Sequence, residues 1–185
     1  MIDRLNPRSR RDAFGSRINR SHSSLLAYGI PWLTIMLGSL APWLPVIAPA
    51  PVLPPFGLLM LLGWRLVQPG LLPRWAGLPL GLFDDLFSGQ PMGSGILLFS
   101  LALLAIELIE IRFPWRTFLL DWLTASVLLV VYLVAAALFS GAGLSGGQFT
   151  VLLPQLLLSI VLFPIIARMV ALLDRFRLMR VRRVG

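Results

Sequence analysis

Long apolar runs, separated by short polar or proline-rich gaps, divide the chain into six candidate membrane spans. A straight helix needs about 20 apolar residues to cross the hydrocarbon core of a bilayer. The second and third runs are shorter than this, which predicts a tilted or re-entrant pair. The predicted spans are residues 25–47, 56–68, 75–88, 94–111, 117–140 and 149–173. The pattern therefore predicts an all-α integral membrane protein with six transmembrane helices.

The charged residues are unevenly distributed between the gaps. All 16 basic residues are arginines, and they lie in the N-terminal tail, from the end of span two to the start of span three, between spans four and five, and from Arg168 onward. The other gaps, APAPVLPP, SGQPMGSG and GAGLSGGQ, carry no charge. Because positively charged loops remain in the cytoplasm, this alternation predicts two cytoplasmic termini. The predicted domains are a basic tail at 1–24, a membrane domain at 25–173 and a basic tail at 174–185.

The composition supports a bilayer as the surrounding medium. Hydrophobic residues make up 57% of the 185-residue chain and charged residues 13%, and the mean hydropathy is +0.85. This proportion of polar residues is too small to cover the surface of a water-soluble globular protein. The chain contains no cysteine, which excludes disulfides, thiolate zinc sites and cysteine nucleophiles.

The two arginine-rich tails give the chain a net charge of +8 and favour anionic lipid headgroups as partners. Nucleic acid is the alternative, but neither tail alternates its arginines with stacking aromatic residues, and each adjoins a span. We therefore predict lipid contact and no nucleic-acid partner. The first apolar run is too long for the core of a cleaved signal peptide and predicts an uncleaved anchor. After Arg168, the last span is expected to continue as a basic amphipathic helix.

Two adjacent aspartates, Asp84 and Asp85, interrupt the third span. Successive helix residues are rotated by about 100°, so the spacing assigns only Asp85 to the face that contains Gly77, Gly81 and Ser88. Small residues at this spacing allow two membrane helices to approach closely. Two interpretations stay open: the face packs on a neighbouring span or a partner's helix, or Asp85 only caps or pairs within its own chain. Asp84 is expected to lie toward the outer surface.

Several ionisable residues lie near the predicted inner interface. They are Glu107 and Glu110 on one face of span four, Asp121 in span five and Arg65 at the end of span two. One interpretation is a set of structural ion pairs or interfacial groups that involve Arg112 or Arg116. The other is a proton-coupled or solute-carrying site. We prefer the first, because spans one and five contain few polar side chains and no hydrophilic path is evident.

Candidate catalytic residues lack the partners that catalysis requires. A prenyl-transfer site needs a second acidic cluster to hold magnesium, and a CDP-alcohol phosphotransferase needs several aspartates along two helices. Neither array is present. Ser94, in the segment MGSGI, would need a base, and the single histidine of the chain is His22 in the N-terminal tail. We therefore predict a protein that is not an enzyme and that holds no metal or cofactor.

The run GLFDDLFSGQPMG resembles the signature of the rod shape-determining protein MreD family. The matching positions are Gly81, Asp85, Leu86, Gly89 and Gly93. The resemblance extends along most of the chain, to Pro42 with Trp43, Trp64 with Pro69, and Pro164 followed by Arg168. Asp84 is additional to this pattern. The long arginine-rich N-terminal tail and the proline-rich segment after the first span depart from it.

The resemblance implies a non-enzymatic inner-membrane component of the bacterial cell-elongation machinery for rod shape and peptidoglycan synthesis. It implies binding to a bitopic MreC-like protein and, through it, to the MreB filament, the RodA glycosyltransferase and a class B penicillin-binding transpeptidase. The predicted helix-packing and partner-binding residues are Gly77, Gly81, Asp85, Ser88, Gly89 and Gly93. The family fold is similar to the substrate-binding subunits of vitamin transporters, so a small-molecule carrier is the alternative function.

Overall fold

Six α-helices and two short 3₁₀ turns, with no strand, account for the secondary structure in residues 24–43, 53–113, 117–141 and 146–177, which the computed structural model describes. The helices are α1 (Ser24–Ser39), α2 (Phe56–Val67), α3 (Gly77–Ser88), α4 (Ser94–Arg112), α5 (Phe118–Phe139) and α6 (Gly146–Arg177). The 3₁₀ turns are Ala41–Trp43 and Arg74–Ala76. Most of the two predicted basic tails, including His22, lies outside the described residues.

Each predicted span overlaps one of these helices, which confirms the all-α class. The helices α4 and α5, and the part Leu152–Arg177 of α6, are long and apolar enough to cross a membrane. The helices α2 and α3 have 12 residues each, which corresponds to about 18 Å, so the predicted shortness of spans two and three is confirmed.

The first helix is shorter than its predicted span. It ends at Ser39, and the 3₁₀ turn at Ala41–Trp43 replaces the helix that was expected to run on to residue 47. Proline has no N–H to donate and disfavours helical geometry in the residue before it, and Pro42 therefore ends the helix. The prediction is wrong for residues 40–43, and residues 44–47 lie outside the described part of the chain.

The centre of the bundle is α2. Nine of its twelve residues are buried, and it packs against α1, α4, α5 and α6. A helix that is apolar on all sides is typical of a protein core or of a membrane span. The short second span is therefore a core element, with the longer helices around it.

Leucines cover the outward surface of α4 at helical spacing. Leu97, Leu101, Leu104 and Leu108 are each between 46% and 68% exposed. Leucines three and four residues apart form one continuous stripe along a helix. An exposed stripe of this kind is unfavourable in water and favourable against lipid chains, which agrees with the apolar length of the helix.

A proline in α6 creates a hydrogen bond between two helices. Because Pro164 lacks an N–H, the carbonyl of Ile160 has no donor four residues later. The Trp122 indole of α5 donates to this carbonyl at 3.1 Å. A bilayer core offers no water to a free carbonyl, so the indole bond both satisfies Ile160 and fixes α5 against α6.

A second tryptophan connects α1 and α2. Trp64 is fully buried in α2, and its indole donates to the Thr34 hydroxyl of α1 at 2.8 Å. The same hydroxyl donates to the Ile30 carbonyl at 2.9 Å. A buried indole needs an acceptor, and α1 supplies one at the position where it crosses the core helix.

Candidate functional site

Two glycines shape the loop between α3 and α4. Gly89 follows the last residue of α3 with a φ of 71°, and Gly93 precedes α4 with a φ of 95°. Glycine adopts these left-handed conformations without a steric penalty, whereas side chains disfavour them. The loop therefore turns the chain back within five residues, Gly89 to Gly93, and places the end of α3 beside the start of α4.

Asp85 binds the start of α4 through its carboxylate. Its oxygens accept the backbone N–H of Gly93 at 2.8 Å, of Gly95 at 2.6 Å and of Ile96 at 3.4 Å. The first backbone N–H groups of a helix have no partner inside that helix, and the helix dipole favours a negative charge there. Asp85 is 3% exposed, so this buried carboxylate replaces the solvent that the α4 N-terminus would otherwise need.

The glycine face of α3 lies against α4. A Cβ atom at Gly77 would lie 2.7 Å from the Ser100 Cα, and one at Gly81 would lie 2.6 Å from the Ile96 Cα. Real Cβ atoms essentially never approach backbone this closely. The structure combines parts of the two interpretations. The glycine face packs on a neighbouring span, and Asp85 caps a helix of its own chain. A role of these residues in partner binding stays a prediction.

Ser88 lies apart from this seam between α3 and α4. It is half-buried and lines a cavity together with Asp84. The predicted set is therefore divided: Gly77, Gly81 and Asp85 face α4, the two loop glycines shape the turn, and Ser88 faces the cavity.

The expectation that Asp84 lies toward the outer surface is wrong. Asp84 is 5% exposed. It accepts a hydrogen bond from the Tyr132 hydroxyl of α5 at 3.4 Å and lies beside Ser39 of α1. Its side chain points between α1, α2 and α5, because the rotation of one residue from Asp85 turns it about 100° away from α4.

Three polar residues around Asp84 were not anticipated from the sequence. Gln90, Tyr132 and Gln155 line the cavity that Asp84 faces. Gln155 donates to the Leu53 carbonyl at 2.7 Å. Their positions within or beside long apolar runs were the signal available in the sequence. A polar side chain has an unfavourable free energy in lipid, so such residues are expected to face the bundle interior.

The opposite end of the bundle is held by ion pairs. Arg65 of α2 binds Glu110 of α4 at 2.8 Å, and Arg74 binds Glu107 of α4. The preference for ion pairs is confirmed for these two glutamates, and the pairs shown use Arg65 and Arg74. Arg116 lies outside the described residues, so pairing with Arg112 or Arg116 stays a prediction. Helix packing brings the end of α2 beside the end of α4, which sequence distance does not reveal.

The amphipathic extension after Arg168 forms part of α6, which continues to Arg177. The domain boundary drawn at residue 173 therefore falls within a continuous helix. Arg177 does not belong to an exposed basic face: it is 9% exposed and binds Asp174 at 2.7 Å. Gln68, the residue that follows α2, donates to the same aspartate at 2.8 Å, so this group attaches α6 to the end of the core helix.

We expect Arg65→Leu or Glu110→Leu alone to lower the free energy of unfolding by about 3 kcal/mol, because each breaks a close ion pair in a poorly hydrated site and retains the other charge. The double leucine variant should lose less than the sum of the two. Thermal unfolding of the purified variants in detergent measures both effects. The pair of Arg74 and Glu107 is the control: Arg74 has a side chain that is 78% exposed, so its loss should cost at most about 1 kcal/mol. Equal costs for the two pairs would contradict the structural role of Arg65.

The surroundings of Ser94 are those of a helix cap. Its hydroxyl donates to the Pro91 carbonyl at 2.7 Å and lies 3.3 Å from Asp85. No histidine lies within the described residues. In the same part of the chain, no group of three or more acidic, histidine or cysteine residues is arranged to hold a metal ion.

A family model described as rod shape-determining protein MreD matches residues 24–177. This range covers most of the chain and contains all six helices. No curated protein gives a significant match, and no solved structure does.

Proposed function

The chain belongs to the MreD family of rod shape-determining proteins, and from this premise we propose that it is a non-enzymatic scaffold of the bacterial cell-elongation complex. The observation that carries the proposal is the family match over residues 24–177. The helix lengths support a place in the membrane, since three helices are long and apolar enough to cross it. Its role is then to hold other components of rod-shape determination at sites of peptidoglycan synthesis.

The direct partner in this proposal is a bitopic MreC-like protein. Through it, the chain is connected to the MreB filament, the RodA glycosyltransferase and a class B penicillin-binding transpeptidase. Because α4 already covers Gly77 and Gly81, we infer that the partner helix binds an outward surface of the bundle. Exposed apolar side chains are available on several helices, among them Leu37, Leu101, Val131 and Val161.

The test is purification of the tagged full-length chain from its native membrane, followed by mass spectrometry. A photo-crosslinking amino acid at Leu37, Leu101, Val131 or Val161, one position at a time, locates the contact. The buried Leu103, which is 3% exposed, is the matched control position. We expect an MreC-like protein to be recovered and crosslinked from at least one exposed position and not from residue 103. A tightly bound small molecule with a pair of ATPase subunits would instead favour the transporter function.

We propose a multi-pass protein of the bacterial inner membrane, with six spans and both termini in the cytoplasm. Reporter domains fused after Gly185 and beside Arg112 should then read cytoplasmic, and one inserted at Gln90 should read periplasmic. A periplasmic signal at either of the first two positions would contradict the six-span topology. In this orientation, the exposed Arg168 and Arg175 lie near the cytoplasmic leaflet and contact anionic lipids.

A further inference from the structure

A polar cavity of about 280 Å³ lies at the end of the bundle that holds the α3–α4 loop. Its walls come from α1, from the start of α2, and from α3, α5 and α6. The polar side chains that line it are Ser39, Asp84, Ser88, Gln90, Tyr132 and Gln155. Two apolar grooves of the bundle lie between α1, α2 and α6 and between α4 and α5. This cavity differs from them because it contains a buried carboxylate.

The two neighbouring aspartates are stabilised very differently. Asp85 accepts short bonds of 2.6 and 2.8 Å from the α4 backbone. Asp84 receives a bond of 3.4 Å from Tyr132, which is long for an O–H donor, since such bonds are ordinarily about 2.7–2.8 Å. None of the ion pairs formed by the described arginines involves Asp84. The Ser39 hydroxyl lies beside Asp84 as a second donor. A buried carboxylate without a cation is costly, and two hydroxyls satisfy Asp84 less well than the backbone N–H groups satisfy Asp85.

The hydrogen-bond directions around Asp84 indicate which groups a ligand of this cavity must carry. The Gln90 amide donates to the Tyr132 hydroxyl at 3.3 Å, and that hydroxyl donates to Asp84. The Gln155 amide donates outward to the Leu53 carbonyl. These donors are directed at acceptors of the protein itself, which leaves the oxygens of Asp84 and Gln155 for a ligand. An acceptor-rich cavity with one carboxylate selects a ligand that donates hydrogen bonds and carries a positive charge.

We propose that this cavity binds a primary ammonium group, with Asp84 as its counter-ion. The group is carried either by a small soluble amine or by the aminoethyl headgroup of a membrane lipid. Gln155 supplies a further acceptor on the cavity wall. This binding goes beyond the scaffold function and does not depend on it, since every residue involved lies in this chain.

The test uses the purified full-length chain in bilayer discs made only of phosphatidylglycerol, which has no amine. The probe is n-butylammonium, and n-butanol is its neutral control. Because a ligand that binds the folded state raises the unfolding temperature, the ammonium ion should raise it in a concentration-dependent manner and the alcohol should not. A response to both probes, or to neither, overturns the proposal.

Asp84→Asn should raise the concentration of n-butylammonium needed for the same shift by at least about tenfold, since a charge-assisted hydrogen bond is lost. Asp121→Asn, which lies away from the cavity lining, should respond as the unaltered protein does. If Asp84→Asn does not fold, Ser88→Leu tests the proposal instead. Ser88 is half-buried and lines the cavity, so a leucine there fills the cavity and should abolish the response to n-butylammonium. An unchanged response in whichever of these two variants folds overturns the proposal.

Discs that also contain phosphatidylethanolamine distinguish the two sources of the ammonium group. If the lipid headgroup occupies the cavity, its presence should abolish the response to n-butylammonium in the unaltered protein. If a soluble amine is the ligand, the response should persist at the same concentration. Either result retains Asp84 as the counter-ion and identifies which molecule carries the amine.

Discussion

Replacing Gly81 with leucine will separate α3 from α4 and sharply reduce the amount of folded protein in the membrane. A Cβ at this position would lie 2.6 Å from the Ile96 Cα, which is backbone and does not move aside as a flexible side chain does. Lipid-embedded helices associate mainly through close packing, so the contacts that are lost are not replaced by a hydrophobic driving force. Even Gly81→Ala should lower the free energy of unfolding by about 1–3 kcal/mol, the usual cost of overpacking.

The matched control for this prediction is Gly29→Ala in α1. A Cβ at Gly29 would meet no atom within 4 Å, and alanine favours the helix over glycine by about 0.8–1 kcal/mol. This variant should therefore be as stable as the unaltered protein or slightly more stable. Thermal unfolding in detergent and the level of protein in the membrane fraction measure both variants. If Gly81→Ala matches Gly29→Ala in both measurements, the close approach of α3 and α4 is not real.

Asp85→Leu is expected to lower the free energy of unfolding by about 3 kcal/mol or more. The change removes the acceptor of the Gly93, Gly95 and Ile96 N–H groups, and a buried donor left without a partner costs about 1–3 kcal/mol. Asp85→Asn retains one acceptor oxygen and should lose roughly half as much stability. Hydrogen exchange of the α4 N-terminus, followed together with thermal unfolding, should show loss of protection at these amides.

Ser94→Ala is the control for the capping role of Asp85. It removes the hydroxyl that lies 3.3 Å from the carboxylate but leaves the three backbone donors in place, so it should cost at most about 1 kcal/mol. The same variants also separate folding from partner binding. If Asp85→Leu accumulates normally, unfolds at the unaltered temperature and loses the MreC-like protein, then Asp85 contacts the partner and the cap is not its main role.

The sequence specifies the helical class and the approximate bounds of the helices. Apolar runs indicate α4 and α5 to within one residue of their observed ends, because a chain in lipid satisfies its backbone groups through helical hydrogen bonds. The close-packing face of Gly77 and Gly81 also follows from the sequence, since residues four apart lie on one side of a helix. The positive φ of Gly89 and Gly93 explains why glycine is needed at those positions.

Only the tertiary structure decides which groups meet. Arg65 and Glu110 are 45 residues apart, and Trp122 donates to a carbonyl 38 residues away, so neither pairing is contained in a local pattern. Helical rotation separates Asp84 from Asp85, but it does not identify the neighbour that each one faces. In the folded bundle, Asp85 faces the N–H groups of α4 and Asp84 faces a cavity. The difference arises because periodicity fixes the direction of a side chain relative to its own helix, whereas the position of the surrounding helices fixes what lies in that direction.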